Sequence, residues 1–222
     1  MTLLVVLVVA AAVAWYLQDQ QRPGAGSSAT AEARRLRTPL VRLADLVGIE
    51  TAAGNRARRF AEGAAGEKAT AVLLRSLTRQ GWIVLHDLAL PYGKANVDHL
   101  LISPTGKVFI LDSKRWSGRF FVFVRNGRLW HGKVDVDDRL DGLRYETRTV
   151  ANVLGIPVTP FVVMHQAPMN GDSLSVGDIR IVPAALAVAR LRAASRHPGH
   201  SEKQALVAAR AKRLLPSYGS NR

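Results

Sequence analysis

Apolar and polar positions divide the 222-residue chain into an apolar head, a basic stretch and a region of mixed periodicity. Leu3 to Leu17 reads LLVVLVVAAAVAWYL, without a charge, a Gly or a Pro. As a helix the run from Met1 spans roughly 25 Å, close to the hydrocarbon thickness of a bilayer. Trp15 and Tyr16 at its end suit a membrane interface. A membrane anchor is the reading that length and flanks favour. A cleaved signal peptide and a buried core helix stay open: Ala12-Val13-Ala14 imitates a cleavage site, but no basic residue stands near Met1. Residues 22–30 (RPGAGSSAT) have a linker's composition. Ala31 to Phe60 reads as a solvated spacer, or as a basic helix near anionic lipid.

Beyond it, Ala65, Ala69, Val72, Leu73 and Leu77 recur at helical spacing between Glu62 and Gln80, and Gly81 stands where a helix would end. Short strands follow at Trp82 to Leu90, Val97 to Ser103, Lys107 to Ser113, Arg119 to Arg125 and Arg128 to His131, with turn chemistry at Pro104-Thr105-Gly106 and Asn126-Gly127. Asp138 to Leu154 returns to helical period. Val158 to Met164 and Asp178 to Pro183 read as strands, and Ser201 to Leu215 as a basic helix. This order predicts an α/β fold, a mixed central β-sheet flanked by helices.

The first turn fixes a register. A three-residue loop with Pro104 opening a type I turn and Gly106 in the left-handed position pairs Ser103 with Lys107. Asp98 then falls opposite Asp112, and Lys114 shares their face because side chains alternate. A slip by one residue would turn Asp98 away. Opposed carboxylates repel unless a cation lies between them or one is protonated. Oxygen ligands with room for water fit Mg²⁺, or Mn²⁺, rather than zinc. Lys114 can then orient or deprotonate a water, or stabilise a developing oxyanion. Taken alone, Asp112 and Lys114 would be an ordinary ion pair.

Charge adds a partner class. The chain has 31 Lys and Arg against 17 Asp and Glu, a formal charge of +14. Between Arg22 and Phe60 eight arginines face three acids, and residues 61–222 hold the other 23 basic residues against 13 acids. Most of the excess therefore lies in the mixed region, pointing to nucleic acid more than to lipid. Lys94, Arg115, Arg119 and Lys133 flank the hairpins with Trp116, Phe120 and Trp130 interleaved, a mixture that can hold phosphates and stack bases. The same residues also read as core aromatics and ordinary strand surface. The chain contains no Cys, which excludes thiolate metal sites, disulfides and a thiol nucleophile.

Asp98 with Asp112-Ser113-Lys114 on the neighbouring strand resembles the core of the PD-(D/E)XK nucleases. Gly66-Glu67, the strand WIVLHDLAL, Asn96-Val97-Asp98-His99, the turn SPTGK and the strand VFILDSK in that order resemble the nuclease-related domain, the NERD family, over about residues 62 to 185. The resemblance implies a restriction-endonuclease-like core. It further implies Asp98 and Asp112 as metal ligands, the Ser113 carbonyl as a third, Lys114 as the catalytic lysine, and Glu67 as an acid approaching from the first helix. Asp112 stands where the family more often has Glu, and Val97 where the superfamily's Pro would be. His99, by alternation, faces away from the acids and reads as packing or as a supporting hydrogen bond.

These readings predict three parts: a transmembrane anchor over residues 1–18, a basic juxtamembrane linker over 19–60, and a nuclease-like domain over 61–222 facing the cytoplasm. The expected activity is Mg²⁺-dependent (or Mn²⁺-dependent) hydrolysis of nucleic acid, DNA before RNA. The rivals are an inactive nucleic-acid tether at the membrane and, if the apolar head is cleaved, a secreted nuclease.

Overall fold

A computed structural model describes residues 24–46, 49–91, 95–196 and 203–218. The element order is α1 (Ser27–Leu36), α2 (Pro39–Leu46), α3 (Ala52–Thr78), β1 (Ile83–Ala89), β2 (Asn96–Ile102), β3 (Val108–Arg115), β4 (Val122–Arg125), β5 (Arg128–His131), β6 (Val134–Asp135), α4 (Asp141–Leu154), β7 (Val158–His165), β8 (Leu174–Val176), β9 (Ile179–Pro183), α5 (Ala187–Arg196) and α6 (Gln204–Leu214). The main sheet runs β1-β2-β3-β7-β9-β8, and β4-β5-β6 form a small second sheet. The β1-β2-β3 meander is antiparallel, β3, β7 and β9 are mutually parallel, and β8 closes the edge antiparallel. The mixed sheet flanked by helices is the architecture the element order predicts.

Helices cover both faces of the sheet. Leu101, Phe109, Leu111, Phe161 and Val163 pack under α3 and α5 with Leu74, Leu77 and Leu191. Leu100, Ile102, Val108, Ile110 and Val162 pack with Leu143, Val150 and Val207 of α4 and α6 on the other side. Burial on both faces explains why β3 and β7 read as unbroken apolar runs rather than as alternating ones. The β2–β3 turn forms as its residue types require. Gly106 takes φ 80°, its N–H donates to the Ser103 carbonyl at 2.8 Å, and the Ser103 N–H donates to the Lys107 carbonyl at 2.9 Å. The ladder then pairs Ile102 with Val108 and His99 with Leu111, the register that sets Asp98 beside Asp112. Asn126 and Gly127, at φ 52° and 72°, close the two-residue β4–β5 hairpin.

Three features differ from the expected pattern. First, α3 starts at Ala52, where Thr51 caps it by accepting the Gly54 N–H at 2.9 Å, so residue 60 lies inside a helix. Its buried stripe is Ala64, Glu67, Thr70, Leu74 and Leu77, whereas Val72 is exposed. The face read through Ala65, Ala69 and Val72 is therefore rotated, because two polar residues occupy the inward stripe. Second, the linker composition of residues 22–30 gives way to helix at Ser27. Third, α5, whose buried face is only Ala187, Leu191 and Ala194, and the short strands β6 and β8 add elements that the expected order lacks. The expected anchor lies outside the described residues, and among those described no helix is long and apolar enough to cross a membrane.

The placement of α1 depends on Asp87. This fully buried residue of β1 has φ 50°, a left-handed conformation uncommon outside glycine. Gly26 precedes α1 and has no side chain to cap it; the Ser27 N–H donates to the Gly24 carbonyl at 3.0 Å, which leaves the Ser28 N–H to find a partner outside the helix. The Asp87 carboxylate takes over that role: Oδ2 accepts the Ser28 N–H at 2.9 Å and the Ser27 hydroxyl, while Oδ1 accepts from Asn96 at 2.8 Å. Its backbone carbonyl accepts the Tyr218 N–H at 2.7 Å, and the Ala89 N–H donates to Pro216. Segments from opposite ends of the chain are thus fastened to one residue.

Gly106→Ala is expected to lower stability by about 1–2 kcal/mol through its positive φ, seen as a lower urea midpoint at an unchanged m-value. Asp87→Ala is expected to speed amide hydrogen exchange at Ser28 well before the sheet opens; exchange rising uniformly across the protein would contradict the local role given to Asp87.

Candidate functional site

Where β2 begins and β3 ends, the meander and two helices bring five charged side chains around a cleft of about 590 Å³. Asp98 projects from β2, Asp112 and Lys114 from β3, Glu67 from α3 and Glu146 from α4, and all five line the cleft. The strands supply the first three through the register set at Gly106. Asp98 Oδ2 accepts the Ser113 backbone N–H at 3.3 Å, which ties the two strands together beyond the last ladder pair. Asp112 Oδ2 lies 2.7 Å from Lys114 Nζ, with both side chains largely buried.

Electrostatics in the cleft follows from this crowding. Burial, with Glu67, Asp112 and Glu146 close by, holds the Asp98 carboxyl well above its ordinary value. Burial, then Asp87 and Asp112, pushes Glu67 up to about 7, although the Gly26 N–H opposes the shift. Burial and the Asp112 charge push Glu146 up to about 8. For Lys114 burial alone would pull the ammonium down, but Asp112, Asp98 and Glu146 reverse that and leave it raised. Lys114 is therefore an ammonium in this arrangement, not a base. Glu67 is 6% exposed, and its Oε2 has no hydrogen-bond partner. A buried carboxyl oxygen without a partner is costly unless something else completes it.

Ser113 and His99 turn to the opposite face. The Ser113 hydroxyl donates to Thr70 Oγ1 at 2.8 Å and lies 3.4 Å from His99 Nε2. His99 Nδ1 is 2.8 Å from His86 Nδ1, so one ring donates to the other, and Thr70 Oγ1 is 2.8 Å from His165 Nε2. Burial and the neighbouring His86 push the His99 ring down to about 3, so it is neutral. This polar seam fixes the α3 face of β3 behind the acids. His99 thus serves as supporting structure, as its alternation implies.

Of the four residues expected at the nucleic-acid surface, three are described. Lys94 falls outside the described residues. Arg115, Arg119 and Lys133 are exposed, and none lines the cleft. With the Gln166 amide turned to receive it, Arg115 donates to that side-chain oxygen at 2.9 and 3.1 Å. The cleft's cations besides Lys114 are Arg35 of α1 and Arg59 of α3.

Glu146 was not anticipated, although a signal was present. Leu143, Thr147, Val150 and Leu154 form the buried stripe of α4, and position 146, three after Leu143 and four before Val150, lies on it. A carboxylate on the inward stripe is the same anomaly as Glu67 on α3. As a donor set, carboxylates with one unpartnered oxygen suit a hard divalent cation. In the arrangement shown, no three Asp, Glu or His side chains close into a metal cage among the described residues; Asp112 is held by Lys114 instead.

Residues 62–165 match the family model described as the nuclease-related domain, NERD. No curated protein and no solved structure matched the chain significantly. The matched segment contains Glu67, Asp98, Asp112, Glu146 and Lys114, whereas α1, with the cleft's Glu32 and Arg35, α2 and the first turns of α3 precede it.

A raised carboxyl pKa stabilises the folded protein at low pH and loses that contribution as pH rises towards the folded value. Glu146, at about 8 against an ordinary 4.5, gives metal-free protein a stability that falls between pH 5 and 8. One such proton contributes a slope of up to about 1.4 kcal/mol per pH unit. Glu146→Gln is expected to flatten the fall in urea midpoint over that range; parallel profiles for the two proteins would contradict the shift.

Proposed function

With residues 62–165 a nuclease-related domain, we propose that the chain is a membrane-anchored, divalent-metal-dependent nuclease that hydrolyses the phosphodiester bonds of DNA. The observation that carries this reading is the convergence of Glu67, Asp98, Asp112 and Glu146 on the single ammonium of Lys114 at the end of the hairpin. Burying that many acids together destabilises the fold, and such a cost is typical of sites that do chemistry. Asp98, Asp112 and the Ser113 carbonyl are the groups that would hold Mg²⁺ or Mn²⁺. When bound, the ion would polarise a phosphoryl oxygen and lower the pKa of a water.

The chain's own groups account for the rest. Hydrolysis forms a bond between a water oxygen and phosphorus and breaks the bond to a sugar oxygen, so one proton must leave the water and one must reach the leaving alkoxide. Glu67, titrating at about 7, is poised to exchange a proton near neutrality. Lys114, protonated, offers charge to the phosphoryl oxygens once Asp112 is engaged elsewhere. The apolar run Leu3–Leu17 and the arginines that follow it support an anchor with the domain on the cytoplasmic side.

One observation favours a second reading. The closed Lys114–Asp112 pair is also what an inactive binding module would keep, a tether holding DNA at the membrane without cutting it. Supercoiled plasmid incubated with the full chain in detergent separates the two. Nicking is expected with Mg²⁺ or Mn²⁺ and not with EDTA, falling about 10²-fold or more in Asp112→Ala and Lys114→Ala. Wild type as inert as both variants across divalent ions, with binding retained, would establish the tether instead.

A further inference from the structure

A phosphodiester strand approaching this cleft meets five acids, Glu32, Glu67, Asp98, Asp112 and Glu146. Lys114 is already engaged by Asp112. The charges that can offset the repulsion stand on the walls. Arg35 on α1 and Arg59 on α3 line the cleft, are exposed, and take part in no ion pair among the described residues. Two aromatic rings line it as well: Phe60, beside Arg59, and Tyr218, brought in by its backbone bond to Asp87. All four lie outside residues 62–165, so the matched domain supplies four of the five acids and the flanking segments supply what would hold a substrate.

Size and shape narrow the substrate. A space of about 590 Å³, with α1 on one wall and α4 on another, has the volume of a small-molecule site. A duplex, with backbones on either side of a major groove roughly 12 Å wide, is too broad to enter it. A single strand is not, because its bases can splay and stack on aromatic rings while arginines follow its phosphates.

We propose that the cleft takes single-stranded nucleic acid, with Arg35 and Arg59 holding its phosphodiester backbone over the acids and Phe60 and Tyr218 receiving its bases. The proposal rests on the nuclease reading and specifies its substrate as a free strand, an end or a flap rather than an intact duplex. It also assigns the segment before the matched domain to the site.

Fluorescence anisotropy with the full chain in detergent and EDTA tests this without cleavage. The probes are a fluorescein-labelled thymidine oligonucleotide of about 12 residues and a blunt duplex of the same length. The strand is expected to bind more tightly than the duplex. Arg35→Ala with Arg59→Ala should weaken strand binding about tenfold or more and reduce the slope of log K against log salt by about 1.4. Arg35→Lys with Arg59→Lys should recover most of that slope. Phe60→Ala and Tyr218→Ala should each weaken binding about tenfold at an unchanged slope. Arg42→Ala with Arg75→Ala, exposed arginines away from the cleft, is the comparison for general charge loss. Equal affinity for strand and duplex, or cleft variants no weaker than that comparison, would overturn the proposal. Strand binding with no hydrolysis under any divalent ion would remove the nuclease reading and leave this one standing. Hydrolysis indifferent to the arginine variants would do the reverse.

Discussion

Charge confined in a dry place is the constraint on which the rest depends. Glu67, Asp98, Asp112 and Glu146 share a cleft with one engaged ammonium, and they cannot all be ionised without a further cation. The protein answers by holding three of the four carboxyls above their ordinary range and by leaving one Glu67 oxygen without a partner. Nothing in the packing of the two apolar layers requires such an arrangement. The layers instead supply the rigidity that makes it possible: β3 is buried on both faces, and its neighbours fix where each acid emerges.

Legibility in the sequence followed the same line. The β2–β3 register could be read because a single glycine at φ 80° decides it, and the Asn126-Gly127 hairpin for a similar local reason. The α3 face was misread because hydrophobic periodicity assumes that the inward stripe is apolar, and here Glu67 and Thr70 lie on it. Glu146 escaped notice on the same grounds. Where local rules and the observed structure disagree, the disagreement falls on the cleft, as expected when function and packing compete for the same positions. The helices α1 and α5 are hidden for a different reason: α1 begins inside a Gly- and Ser-rich stretch with a linker's composition, and the faces they bury are made mostly of alanine, Ala33 in one and Ala187, Leu191 and Ala194 in the other.

The basic stretch before the matched domain also changes meaning. By composition alone its arginines belonged to a spacer or to lipid, and the hairpin cations looked closer to the chemistry. Folded, the stretch delivers Arg35 and Arg59 to the acid cleft, while Arg119 and Lys133 stay on the outer surface. Net charge pointed to a partner class but not to the side chains that line the cleft, because helix packing rather than sequence proximity brings Arg35 there.

Asp87 gives this architecture an order in time. It binds Ser27, sixty positions earlier in the chain, and Tyr218, which is synthesised after every other cleft residue. Contacts of such long sequence separation form late, since the intervening chain must be ordered before they are rewarded. A nascent chain can therefore build its sheet and gather its acids while one wall of the cleft is still missing. The site acquires its final shape only once residue 218 has emerged and docked against β1, so the cleft closes later than the sheet that carries its acids.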